Sequence, residues 1–136
     1  KNDILYSLLC IAFFADQDID ESEKDVIFNS YKIFFFEINN EKFNDDFGLT
    51  TSKFIELKTE DARKKQFDDS LIKIKNEPSL NENHLNQLII SYIDIANADD
   101  FIHDNEVSLI KNAIENWGLD LIINKPNSGQ KLKLKK

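Results

Sequence analysis

A chain of 136 residues that is 41% apolar and carries eleven phenylalanines can build one buried core but not two, so a single domain is expected. Three glycines and two prolines are too little punctuation for a many-stranded sandwich or barrel. The formal charge of −8 is uneven: residues 125–136 hold five of the 17 basic side chains and none of the 25 acids, which leaves residues 1–124 at −13. Such a body repels phosphate backbones and anionic lipid, so nucleic acid and direct membrane insertion are not expected, and a protein partner with a basic surface is.

In chain order, the first predicted helix runs from Asp3 to Ala15, with Ile4, Leu5, Leu8, Leu9 and Ala12 on one face and Phe13 and Phe14 widening it. Its apolar run is too short to span a bilayer, and Asp3 stands where a secretory leader carries positive charge, so it reads as a buried helix. Cys10, the single cysteine, excludes an internal disulfide and reads as a small core hydrophobe, in keeping with a cytoplasmic location. A second helix runs from about Glu21 into Phe34-Phe35-Phe36, with Val26, Ile27, Ser30, Tyr31 and Phe34 at helical spacing. A polar loop is expected over 39–46. The aromatic run Tyr31, Phe34, Phe35 and Phe36, with Phe43 and Phe47, reads as core covered by residues 39–50, a partner groove being the alternative.

Residues 51–76 divide into two helices with an ambiguous break, one with Phe54, Ile55, Leu57 and Ala62, the other with Phe67, Leu71, Ile72 and Ile74, the latter stopped by Pro78. Asn81 caps a fifth helix whose Leu85, Leu88, Ile89, Tyr92, Ile95 and Ala96 form a regular stripe. A sixth runs from about Asp104 to Trp117 and presents Val107, Ile110, Ala113, Ile114 and Trp117, with Gly118 as the residue after its C-cap. The expected architecture is an all-α compact bundle of about six helices over residues 1–120. A basic tail or linker follows over 121–136, its alternating Lys131-Leu132-Lys133-Leu134 allowing a hairpin as the alternative.

An acidic turn occurs twice, 83 residues apart. Residues 15–29 match 98–112 at Ala15/Ala98, Asp16/Asp99, Ile19/Ile102, Glu23/Glu106, Ile27/Ile110 and Asn29/Asn112, more than composition explains, so two pseudo-repeated helical hairpins are expected. Phe47-Gly48-Leu49 echoes Trp117-Gly118-Leu119 downstream of each turn. The pattern has a folding rationale: Ala lets one helix end approach its neighbour, Asp satisfies backbone groups in the bend, and Ile fills the space between antiparallel helices. Asp20 and Glu23 fit a capping box, and Ile102 with Val107 a hydrophobic staple, with His103 or Asp104 at the second N-cap.

Those two segments, Ala15-Asp16-Gln17-Asp18-Ile19-Asp20-Glu21-Ser22-Glu23 and Ala98-Asp99-Asp100-Phe101-Ile102-His103-Asp104-Asn105-Glu106, resemble the repeated Ala-Asp-Gly motif of TerB-like tellurite-resistance domains. These are related to the N-terminal domain of DjlA-type co-chaperones. The resemblance covers most of residues 4–119; the family's Gly is replaced by Gln17 in one copy and Asp100 in the other, and since Asp accepts a left-handed conformation better than Gln, a different shape is expected for the first turn. It implies a non-enzymatic interaction module in a stress-response or defence assembly. The alternatives are the regulatory domain of a DjlA-type co-chaperone, whose J-domain signature His-Pro-Asp is absent from these residues, and a carboxylate-based metal-dependent hydrolase.

The carboxylates themselves carry little else. Asp16, Asp18 and Asp20 alternate as in an EF-hand, but Glu21 and Ile27 stand where that loop needs its Gly and closing Glu. With the hairpins parallel, Asp16, Asp18, Asp20 and Glu23 would approach Asp99, Asp100, Asp104 and Glu106, an oxygen-rich set suited to Ca²⁺, Mg²⁺ or Mn²⁺. The plainer reading is turn and cap chemistry on a solvated acidic end, which leaves Asp18 and Asp100 unexplained. Zinc is disfavoured because His84 and His103 are far apart in sequence and read as surface residues, while Cys10 belongs to the core. No Gly-rich phosphate loop or Ser-His-Asp framework supports catalysis, and no enzyme is expected.

Overall fold

The structure is a computed structural model and describes residues 2–13, 21–35, 37–97, 104–124 and 133–135. These form six helices, α1 (Asn2–Phe13), α2 (Glu21–Phe34), α3 (Asn40–Glu56), α4 (Glu60–Lys75), α5 (Glu82–Asn97) and α6 (Asp104–Asn116), and a ribbon of β1 (Ile122–Asn124) and β2 (Lys133–Lys135). The all-α bundle is as the sequence predicts.

Helix α1 is apolar almost all round and is therefore enclosed: residues 4–11 are all buried, and α1 packs against each of the other five helices. Its buried serine is accommodated within the core. Ser7 Oγ donates to the Ile4 carbonyl at 2.7 Å and accepts from the Tyr92 hydroxyl of α5 at 2.8 Å, so neither group is left unsatisfied. Cys10 is fully buried, as expected.

The polar loop expected over 39–46 is instead the opening of α3. Asn39 caps it, its side chain accepting from the Lys42 amide at 2.8 Å. Phe43, Phe47, Thr50 and Phe54 then recur at helical spacing on one buried face. The hydrophilic residues between them are the outward face of the same helix. Phe43 meets Phe28 at 4.6 Å, Tyr31 at 5.9 Å and Phe47 at 5.5 Å between ring centroids, so Tyr31, Phe43 and Phe47 of the aromatic run are core; Phe34 and Phe35 are half-buried against it, and Phe36 lies outside the described residues. Asp46 is buried beneath it and is held by Lys42 Nζ at 3.1 Å, with the Tyr31 hydroxyl 3.4 Å away.

The structure also separates the two glycine echoes. Gly48 lies in the middle of α3 with open space where a β-carbon would be. Gly118 has φ +64° and completes a Schellman motif: its amide donates to Glu115 O at 3.2 Å and the Leu119 amide to Ile114 O at 3.1 Å. Opposite outcomes are expected from one substitution. Gly48→Ala should raise stability by about 1 kcal/mol, because an exposed helix interior favours Ala, whereas Gly118→Ala should lower it by about 1 kcal/mol. Urea denaturation of the two variants checks this, and a destabilised Gly48→Ala would argue against the helix.

Thr59 caps α4 by accepting from the Ala62 amide at 3.1 Å, and α4 ends at the cap Asn76, before Pro78. At the start of α5 Asn81 is the cap the sequence predicts. Its side chain accepts from the His84 amide at 3.1 Å, while His84 Nδ1 accepts from the Asn81 amide at 3.0 Å. His84 is thus half of a reciprocal capping pair, with its ring 6.3 Å from that of Phe34, rather than a free surface histidine.

Beyond residue 121, where a basic tail or linker is expected with a hairpin as the alternative, the described residues pair as an antiparallel ribbon with Ile122 opposite Lys135, Ile123 opposite Leu134 and Asn124 opposite Lys133. Leu121 and Ile123 are buried, and the ribbon packs on α5 and α6. Two apolar side chains inserted into the core tie its first strand to the helical body.

Candidate functional site

The direction of each helix decides whether the two acidic turns can meet. Helix α4 runs antiparallel to α1: the Asp3 carboxylate accepts from Ser70 Oγ at 3.1 Å, while the guanidinium of Arg63, two turns earlier in α4, sits 5.0 Å above the Phe54 ring, which packs edge-on to Phe13 in the last turn of α1. Helix α6 runs parallel to α4, since the Asn112 amide donates to the Asp68 carboxylate, Trp117 Nε1 to Leu71 O at 2.9 Å, and Lys75 Nζ to Asn116 O at 3.2 Å. The end of α1 and the start of α6 therefore lie at the same end of the bundle. The pairing of α2 with α5 agrees, because Phe34 in the last turn of α2 meets His84 in the first turn of α5. The ends of α1 and α5 and the starts of α2 and α6 thus lie at one end of the bundle, with α1 parallel to α5.

The duplication is in register in the fold as well. Helices α2 and α6 start at Glu21 and Asp104, 83 residues apart, and Ile27 and Ile110, matched at that offset, are both fully buried. Of the predicted carboxylates, Asp16, Asp18, Asp20, Asp99 and Asp100 lie outside the described residues, and Glu23 is described only by its backbone in α2. The capping box of Asp20 with Glu23 and the staple of Ile102 with Val107 fall there too. Asp104 opens α6 and is exposed; Glu106 is buried in the first turn. The N-cap position, residue 103, is outside the described set. Both acids complement the positive end of the α6 dipole.

The surroundings of Asp104 are mixed in sign. It lines an open groove of about 500 Å³ between α4 and α6 together with Lys64, Lys111 and Glu115. Among the described residues no three His, Cys, Asp or Glu side chains converge so as to hold a metal ion, so a cation site would have to draw on residues 14–20 and 98–103.

Several buried polar groups carry no sequence signal. Arg63 is buried in α4, where its Nε donates to Leu57 O at 2.8 Å and its guanidinium sits 5.0 Å above the Phe54 ring. The Tyr6 hydroxyl is buried without a geometric hydrogen bond, its polar neighbour being the Cys10 thiol one turn on. Only the packing of α3 and α4 against α1 makes these positions interior. No known protein family, curated protein or solved structure matches the chain. No helix among the described residues is long and apolar enough to cross a membrane.

Proposed function

We propose that the chain is a non-enzymatic interaction module of the TerB-like kind, which presents the end of the bundle carrying both acidic turns to a protein partner with a basic surface. A divalent cation, Ca²⁺, Mg²⁺ or Mn²⁺, bridges the two turns in this reading. One observation supports it most: the helices flanking both turns end and begin at the same end of the bundle, in the register of the duplication. Folding needs explain the Ala, Asp, Ile and Glu of each copy, whereas Asp18 and Asp100 are acids beyond those needs. Concentrated like charge at one end favours a cation or a basic surface there.

Calorimetric titration with Ca²⁺, Mg²⁺ and Mn²⁺ tests the reading. A saturable heat that Asp18→Asn with Asp100→Asn abolishes is the expected result. An absence of heat with all three ions removes the cation. If the same double variant also retains every partner that co-purifies with the unaltered chain, the interaction reading falls with it.

A further inference from the structure

Helices α3 and α4 are consecutive and joined by a three-residue linker, 57–59, yet each leans on α1 and their backbones stay apart beyond that linker. The space between them is a cleft of about 580 Å³ beside the first half of α1, lined from Asp3 and Lys73 to Glu56 and Leu57. Buried Tyr6 and half-buried Leu57 give it an apolar wall. Around that wall stand four charged groups, Asp3 of α1, Lys53 and Glu56 of α3, and Lys73 of α4. None of the four is ion-paired with another described residue, in contrast to Lys42 with Asp46 and Lys64 with Asp68. Among the described residues, Asp3 takes the hydrogen bond from Ser70.

We propose that this cleft binds a small zwitterion, an α-amino acid or dipeptide. Two cations and two carboxylates sum to no net charge, so a polyanion such as a nucleotide meets Asp3 and Glu56, and a bare cation meets Lys53 and Lys73. A ligand carrying one carboxylate and one ammonium group satisfies both signs at once, its carboxylate toward the lysines and its ammonium toward the acids. The volume falls within the range of small-molecule sites and leaves room for a side chain against Tyr6 and Leu57. This site is separate from the acidic turns and stands whether or not they bind a cation.

A two-dimensional NMR titration of the isotope-labelled chain with glycine, leucine, glutamate, lysine and glycyl dipeptides provides the test, with succinate and putrescine as probes of one sign each. At least one zwitterion is expected to shift amides within 50–57 and 66–73 saturably, with a dissociation constant of about 1 mM or tighter. Lys53→Ala with Lys73→Ala, both at exposed positions, should weaken it at least about tenfold, as should Asp3→Asn with Glu56→Gln. No saturable shift with any zwitterion, shifts confined to other parts of the chain, or tighter binding of succinate or putrescine would overturn the proposal.

Discussion

Leu8→Ala is expected to cost about 3–5 kcal/mol of folding free energy. Leu8 is fully buried at the middle of α1, and α1 is the helix on which all the others pack. Truncation removes the transfer free energy of the lost atoms and leaves a cavity that five surrounding helices cannot all move to close. Against a total stability of about 5–15 kcal/mol for a domain of this kind, that is a large fraction. Urea denaturation measures it as a drop in midpoint at unchanged slope. Leu49→Ala, 70% exposed on α3, is the matched control and should change stability by no more than about 0.5 kcal/mol. A Leu8→Ala cost below about 1 kcal/mol would be incompatible with α1 as the central helix.

The second large effect is alkaline unfolding. All three tyrosines, Tyr6, Tyr31 and Tyr92, are buried, and burial raises each phenol well above its usual range; at Tyr31 the Asp46 carboxylate adds to this. Burial raises the Cys10 thiol likewise. In the unfolded chain the thiol ionises near about pH 8.5 and the phenols near about 10, while the folded chain keeps all four protons. The folded state then holds more protons than the unfolded one, so the stability present below about pH 8 is lost as pH rises, by about 1.4 kcal/mol per unit for each group past its unfolded value. Four groups together exhaust a stability of about 5–15 kcal/mol near pH 11–12.

The expected observation is a cooperative loss of helical circular dichroism in that range, with tyrosinate absorbance rising in the same step. Since no tyrosine is exposed, none should titrate ahead of it. Gradual tyrosinate formation centred near about pH 10 with the helical signal intact would contradict the burial described for these residues. Tyr6→Phe is the informative variant. It removes a hydroxyl with no geometric hydrogen bond, so it should leave neutral-pH stability unchanged or higher and move the alkaline transition upward.

How far the sequence could be read follows from which helices carry a continuous stripe. The start of α5 and both limits of α6 were legible to within a residue because their apolar positions repeat without interruption and Asn81 and Gly118 are recognisable caps. The start of α3 was not. Its face is marked by widely spaced Phe43 and Phe47, and the acids, lysine and asparagines between them resemble a loop until the aromatic side chains of α2 are seen opposite. Gly48 deepened the misreading, because a glycine that tolerates a helix and one that ends it look alike in sequence.

Local pattern therefore determined the all-α class, the starts of α1, α2, α5 and α6, the burial of α1 and the duplication of the acidic turn. These depend on spacing, charge and capping over a few consecutive residues, which the chain carries wherever it folds. Only the tertiary structure decided the relative direction of the two hairpins, the burial of Arg63, Tyr6 and Asp46, the docking of the ribbon and the cleft between α3 and α4. Each of those depends on which helix lies beside which, set by long-range contacts such as Asp3 with Ser70 and Trp117 with Leu71. The spacing of residues within a single helix holds no record of its neighbours.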